Sequence, residues 1–297
     1  MKPLLSLLRR LSFAALLGAA ATAWAGPSDL RAAQDAGFQR GLERVVQQLG
    51  LSDEGAAGHL SLALVDVSKG AEPRLAMLNG DRMMYAASMP KLAILLGAFV
   101  EAEAGHLALD PEHLEAMTNM IRRSSNEDAT RVLHWVGGER LIDILESARF
   151  RFYEPGGAGG LWVGKAYDNA PAYRRDPVHN LSHGATAFQV ARLYCLLENG
   201  ELFGPALTAQ MKEVLSKPGI QHKFVKGLEE RPGVEIFRKS GTWRDTHADS
   251  ALVEYGDRRY VMVGIAEHPQ GGEWLRRLAA PLHDLVVAPV HEARLAP

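Results

Sequence analysis

Ser88 and Lys91 stand three apart in Ala86-Ala87-Ser88-Met89-Pro90-Lys91, directly before the apolar run Leu92-Ala93-Ile94-Leu95-Leu96. On the first turn of a helix this spacing puts both side chains on one face and within reach of each other. Burying a lysine ammonium is costly, so a lysine placed there can shed its proton and take one from a neighbouring hydroxyl. The helix N-terminus favours the negative charge that develops nearby. The same residues also read as an ordinary helix start: a capping serine, an early proline and a solvated lysine. Ser-x-x-Lys alone is a weak signal, and its meaning depends on what the rest of the chain supplies.

The elements that must position such a pair follow from hydrophobic periodicity. The chain opens with Lys2, Arg9 and Arg10 before the apolar stretch Leu11 to Ala23, then Ala23-Trp24-Ala25. That pattern is a secretory signal with cleavage expected after Ala25, and it leaves open Sec or twin-arginine export. The mature chain is then expected to be periplasmic or secreted, with no membrane span after cleavage. Ser28 to Leu51 reads as an amphipathic helix, and Leu60 to Val67 with Leu75 to Leu78 as a hairpin. The Ser88 helix runs to about Ala104. A helical pattern from Pro111 to Val136 is interrupted at Arg122-Arg123-Ser124-Ser125-Asn126, and Phe150 to Asn180 is an irregular, glycine- and proline-rich loop. Such long loops are usually functional. Two more helices follow, then strands over Val234 to Thr242, Ser250 to Tyr255 and Arg259 to Ala266, and a closing helix over Gly272 to Val287.

Strands and helices at both chain ends predict an α/β (α+β) fold. An antiparallel sheet flanked by helices from the two ends would hold an inserted all-helical lobe. The expected division is a signal peptide (1–25) and one domain (26–297), with a sheet lobe of 26–85 and 232–297 and a helical lobe of 86–231. Ligand sites favour the cleft between such lobes.

Composition narrows the function. At 47% hydrophobic and 23% charged, with net charge -2, the chain can bury a sizeable core and carries no electrostatic argument for nucleic acid. The single cysteine, Cys195, excludes an intramolecular disulfide and sits in a helical apolar pattern. No histidine spacing matches a metal site, and the Gly156–Gly160 run lacks the lysine and Ser/Thr of a phosphate loop. No cofactor is expected.

Three motifs stand in order: Ser88-x-x-Lys91 at a helix start, Ser124-Ser125-Asn126 at a break between helices, and Lys239-Ser240-Gly241-Thr242 at a strand end. Together they resemble the serine β-lactamase and penicillin-binding-protein superfamily, whose signature is Ser-x-x-Lys, Ser-x-Asn and Lys-[Thr/Ser]-Gly. The likeness is to class A β-lactamases in particular. The resemblance implies that Ser88 is acylated, with Lys91 as its proton partner. It implies that Ser124 relays a proton to the leaving nitrogen, and that Asn126 holds Lys91 and the substrate amide. Lys239 and Ser240 would face a substrate carboxylate, with Arg244 as a supplement or merely an exposed strand-end arginine. The amides of Ser88 and Thr242 would form the oxyanion hole beside Gly241.

Two departures from class A stand out. The stretch from Ser88 to Ser124 is shorter, so the cleft should be more open. Class A enzymes carry Glu-x-x-Leu-Asn on an Ω-shaped loop, whose glutamate activates the hydrolytic water. Here Tyr153-Glu154-Pro155 resembles its start, but glycines follow. Glu154 is therefore either the deacylating base or a surface carboxylate at a turn. Lys165, Tyr167, Asp168, His179 and His183 are the other polar loop candidates. The expectation is a secreted, monomeric serine hydrolase of β-lactams or related amides. The alternatives are a slowly deacylating D,D-peptidase acting on a peptidoglycan-derived peptide, and a non-catalytic binding module that keeps the scaffold.

Overall fold

A computed structural model describes residues 29–288, so the expected signal segment lies outside the described residues. A short 3-10 turn, Leu30–Ala33, leads to α1 (Ala36–Gln48), α2 (Ser52–Ala56), β1 (Leu60–Asp66), β2 (Arg74–Leu78) and β3 (Met84–Tyr85). Then come α3 (Lys91–Glu103), α4 (Pro111–Arg122), α5 (Asn126–Val136) and α6 (Gly138–Glu146). Four short strands follow: β4 (Tyr153–Glu154), β5 (Gly159–Gly160), β6 (Trp162–Val163) and β7 (His183–Ala185). The chain closes through α7 (Ala187–Glu198), α8 (Pro205–Leu215), α9 (Phe224–Gly227), β8 (Glu235–Trp243), β9 (Thr246–Tyr255), β10 (Arg258–Glu267) and α10 (Gly271–Val287).

The main sheet is antiparallel and drawn from both ends of the chain, in the order β2-β1-β10-β9-β8. Alternation along β1 and β10 divides the core. Leu60, Leu62, Leu64, Tyr260 and Met262 meet α1 and α10 residues such as Phe38, Leu42, Leu275 and Leu278 on one face. Ala63, Val65, Val261, Val263 and Ile265 face α7 and the helices beyond it. The centre of that second layer is α3, buried continuously from Lys91 to Glu101, as expected of a helix apolar all round.

The structure sharpens three expectations. The single helix expected over Ser28 to Leu51 is broken, because the Asp35 carboxylate accepts from Phe38 N at 2.6 Å and starts α1 afresh. Ser88 precedes α3 in a tight turn, with Lys91 N donating to Ser88 O at 3.2 Å. The inserted segment, expected to be all-helical, also holds β4 to β7, and β7 pairs with β3 and β6 in a small sheet beside the Ser88 turn. Those strands are two or three residues long, too short for alternation to reveal them. Among the described residues no helix is long and apolar enough to cross a membrane.

Candidate active site

Three elements converge on one cleft of about 560 Å³. Half-buried Ser88 from the β3–α3 turn, Asn126 from the α4–α5 break and Thr242 from the edge strand β8 line it, whereas Lys91, Ser124 and Lys239 to Gly241 are off the lining. Ser125 caps α5 by accepting from Asp128 N at 3.1 Å. Ser124 before it takes a left-handed φ of 58°, which turns its carbonyl and hydroxyl toward Lys91.

Lys91 is fully buried. Its ammonium donates to Asn126 Oδ1 at 2.7 Å, Ser124 O at 2.8 Å and Ser125 O at 3.2 Å, with Ser124 Oγ at 3.5 Å. Lys239 donates to the same Ser124 Oγ at 3.0 Å and to Ser240 O at 2.7 Å. Two lysines thus meet at one hydroxyl. Burial pulls Lys91 down to about 7. Lys239 is pushed well below its usual range, by burial first and then by Lys91 and Arg238.

Gly241 sets how closely β8 approaches the Ser88 turn. A Cβ there would collide with Ala86 O and lie 2.8 Å from Ser88 N and 2.9 Å from Met89 N. Only glycine lets the strand lie this near, and so Thr242 and Ser88 line the same cleft. Behind the strand, the Arg238 guanidinium grips Asp249 at 2.8 and 2.9 Å, both residues buried.

The structure does not bring every expected residue to this point. Glu154 lies in β4, with its side chain 41% exposed and ion-paired to Arg151 at 3.0 Å. It does not line the cleft. Arg244 occupies the β8–β9 turn at φ 50° with its guanidinium over the exposed Trp243 ring, also outside the lining. Of the loop candidates, Lys165, Tyr167, Asp168 and His183 do line it, and His179 does not. His183 is buried and held neutral, its titration lowered to about 4 by burial.

Several side chains at the site went unread in the sequence as parts of it, among them Lys223, Tyr85 and Arg175. Lys223 donates to Gly241 O at 2.6 Å, Thr242 Oγ1 at 2.8 Å and Ala248 O at 3.1 Å, and burial lowers it to about 8. No motif marks it, since it reaches β8 from a distant turn. Tyr85, beside β7, lines the far wall with Arg175. Cys195 is buried, and burial pushes its thiol up, away from thiolate chemistry.

Comparison with known proteins shows the family and the fold. The model of the β-lactamase enzyme family matches residues 41–125 and 112–286, so the chain belongs to that family. A comparison with curated protein sequences finds no match. Among solved structures, PBP-A is similar at 16% identity and a TM-score of 0.63, over 84% of this chain and 96% of that one. A β-lactamase from Sphaerobacter thermophilus is similar at 18% identity and 0.61, over 87% and 98%. A variant of the last common ancestor of Gram-negative bacteria class A β-lactamase gives 18% and 0.63, over 81% and 97%. At such identities the shared property is the fold.

Proposed function

We propose that this protein is a secreted serine hydrolase that opens β-lactams and related acyl amides through an ester on Ser88. The observation that carries the proposal is the meeting of Lys91, three residues after Ser88, and Lys239 at Ser124 Oγ. With Lys91 at about 7, about half of it is neutral at pH 7 and able to take the Ser88 proton. The Ser88 oxygen then bonds to the carbonyl carbon, and the amides of Ser88 and Thr242 take the oxyanion. The C–N bond breaks as a proton passes from Lys91 through Ser124 to the leaving nitrogen. Lys239, with Lys223 behind Thr242, offers hydrogen-bond donors for a substrate carboxylate, whose negative charge would favour the protonated lysine that burial disfavours. Family membership supports the reading. So does the likeness to PBP-A, a mutant of which forms an acyl-enzyme complex with penicillin G.

A second reading, in which the ester is released slowly as in a D,D-peptidase acting on peptidoglycan-derived peptides, is favoured by Glu154 lying outside the cleft. One experiment separates the two. Intact-mass spectra followed over time after adding a penicillin should show one acyl group per chain, absent in Ser88→Ala. Rapid loss of the adduct with turnover of nitrocefin marks a β-lactamase, and persistence over many minutes marks the slow enzyme. Absence of any adduct on wild type would overturn both.

A further inference from the structure

The Lys91 ammonium faces oxygen on the α5 side and an aromatic ring on another. Nζ lies 4.4 Å from the centroid of the Tyr167 ring. That ring is held at two points. Its hydroxyl donates to the carbonyl of Ala87, the residue before Ser88, at 3.0 Å. It also packs against His183, with centroids 4.3 Å apart and the rings tilted by 39°. His183 is fixed in turn, its Nε2–H donating to Lys165 O at 3.0 Å while Nδ1 accepts from the Ser182 hydroxyl at 3.1 Å. Ala87 itself has a left-handed φ of 49°, a conformation that costs energy for alanine and needs an outside tie.

Resting on the reading of Lys91 as the proton partner of Ser88, we propose that Tyr167 is a positioning residue for acylation. Its ring closes the side of Nζ through which water would enter, keeping Lys91 available as a neutral base, and its hydroxyl pins the turn that presents Ser88. No proton passes through Tyr167. Its own hydroxyl proton is engaged by Ala87 O, and burial raises it well above the usual tyrosine range.

Two effects of the ring oppose each other. The face of an aromatic ring attracts a cation, which favours ammonium. Exclusion of water disfavours it, and for a buried lysine this effect is the larger. Around Nζ the other groups are neutral or positive: the Ser124–Asn126 segment before and in α5, Lys239 from β8, and neutral His183 from β7. Among the described residues no carboxylate pairs with Lys91, so access of water governs its ionisation, consistent with burial as the cause of its shift.

The test reads Lys91 directly and without a substrate. Protein carrying [13Cε]lysine is titrated by NMR, with the Lys91 signal assigned by its loss in Lys91→Met. Wild type should titrate at about 7. Tyr167→Ala should titrate at least about one unit higher, and its rate of labelling by a fluorescent penicillin at pH 6.5 should fall about tenfold and recover above pH 8.5. Tyr167→Phe keeps the ring and should keep the wild-type midpoint, losing only rate through the freed Ala87 tie. Tyr167→Gln, of similar reach but hydrated, repeats the test if the alanine variant does not fold. Coincident midpoints in wild type and in the alanine or glutamine variant would overturn the inference, as would a phenylalanine variant that shifts as far as alanine. If wild type titrates at about 7 and moves as expected in the variants but no penicillin labels Ser88, the role of the ring stands and the hydrolase reading fails.

Discussion

Lys91 answers two demands that pull in opposite directions. Its three short contacts to oxygen hold an ammonium in place, while full burial disfavours the charge. The balance falls near neutrality, where a base that must both accept and return a proton works best. Glu154 shows the contrasting case. It is an exposed carboxylate with one ion pair to a neighbour three residues away, an interaction worth little in water. Glu154→Gln should therefore change both acylation of Ser88 and release of the ester by less than about twofold, and stability by less than about 0.5 kcal/mol. Stopped-flow labelling followed by adduct decay measures both rates. A collapse of the release rate alone would restore Glu154 as the hydrolytic base.

At the scale of elements, the site depends on how closely an edge strand can approach a turn. The Gly241 hydrogen faces Ala86 O and the amides of Ser88 and Met89, so a methyl there must push β8 away from the Ser88 turn. Gly241→Ala should cost about 1–3 kcal/mol in stability. On the proposed mechanism it should also cost about a hundredfold or more in acylation, because it would part the amides of Ser88 and Thr242 assigned there to the oxyanion. Urea melts and nitrocefin labelling of the same preparation check the pair. An alanine variant of normal activity would mean that β8 does not set this distance. Contacts made within an element, or along a regular strand, were legible in the sequence. The order of the three motifs, the strands β8 to β10 and the long apolar α3 all follow from spacing and periodicity. The loop of residues 150–180 was not legible. Tyr167 reaches Lys91 because that loop is folded by non-local ties, such as the Tyr153 hydroxyl on buried Asp176 and the close approach of Gly164 to Arg174 O. None of these ties leaves a periodic trace. Glu154 is hard to read for the same reason: its local motif resembles a catalytic one, while its place in β4, paired with β5 and off the cleft lining, follows from contacts the sequence does not show.

Across the whole molecule, buried basic side chains gather around β8: Lys91 from α3, Lys239 and Arg238 on the strand and Lys223 reaching it, with the carboxylate of Asp249 buried beside Arg238. Holding these groups away from water costs stability. The pH dependence of unfolding should expose the cost. Lys91 titrates at about 7 and Lys223 at about 8 when folded, against about 10.4 in an unfolded chain. Between these values the unfolded state binds more protons than the folded one, so stability rises with pH. The rise amounts to at most about 1.4 kcal/mol per pH unit for each lysine. Below about 7 the full penalty is present. Above about 10 the gain ends, and the raised hydroxyls of Tyr85 and Tyr167 begin to favour unfolding. Urea unfolding at pH 7, 8 and 9 should therefore show wild type gaining stability at each step, whereas Lys91→Met should gain about 2 kcal/mol less across the range. Equal gains in the two proteins would mean that Lys91 stays protonated in the folded state, and a permanently charged Lys91 could not accept the proton of Ser88.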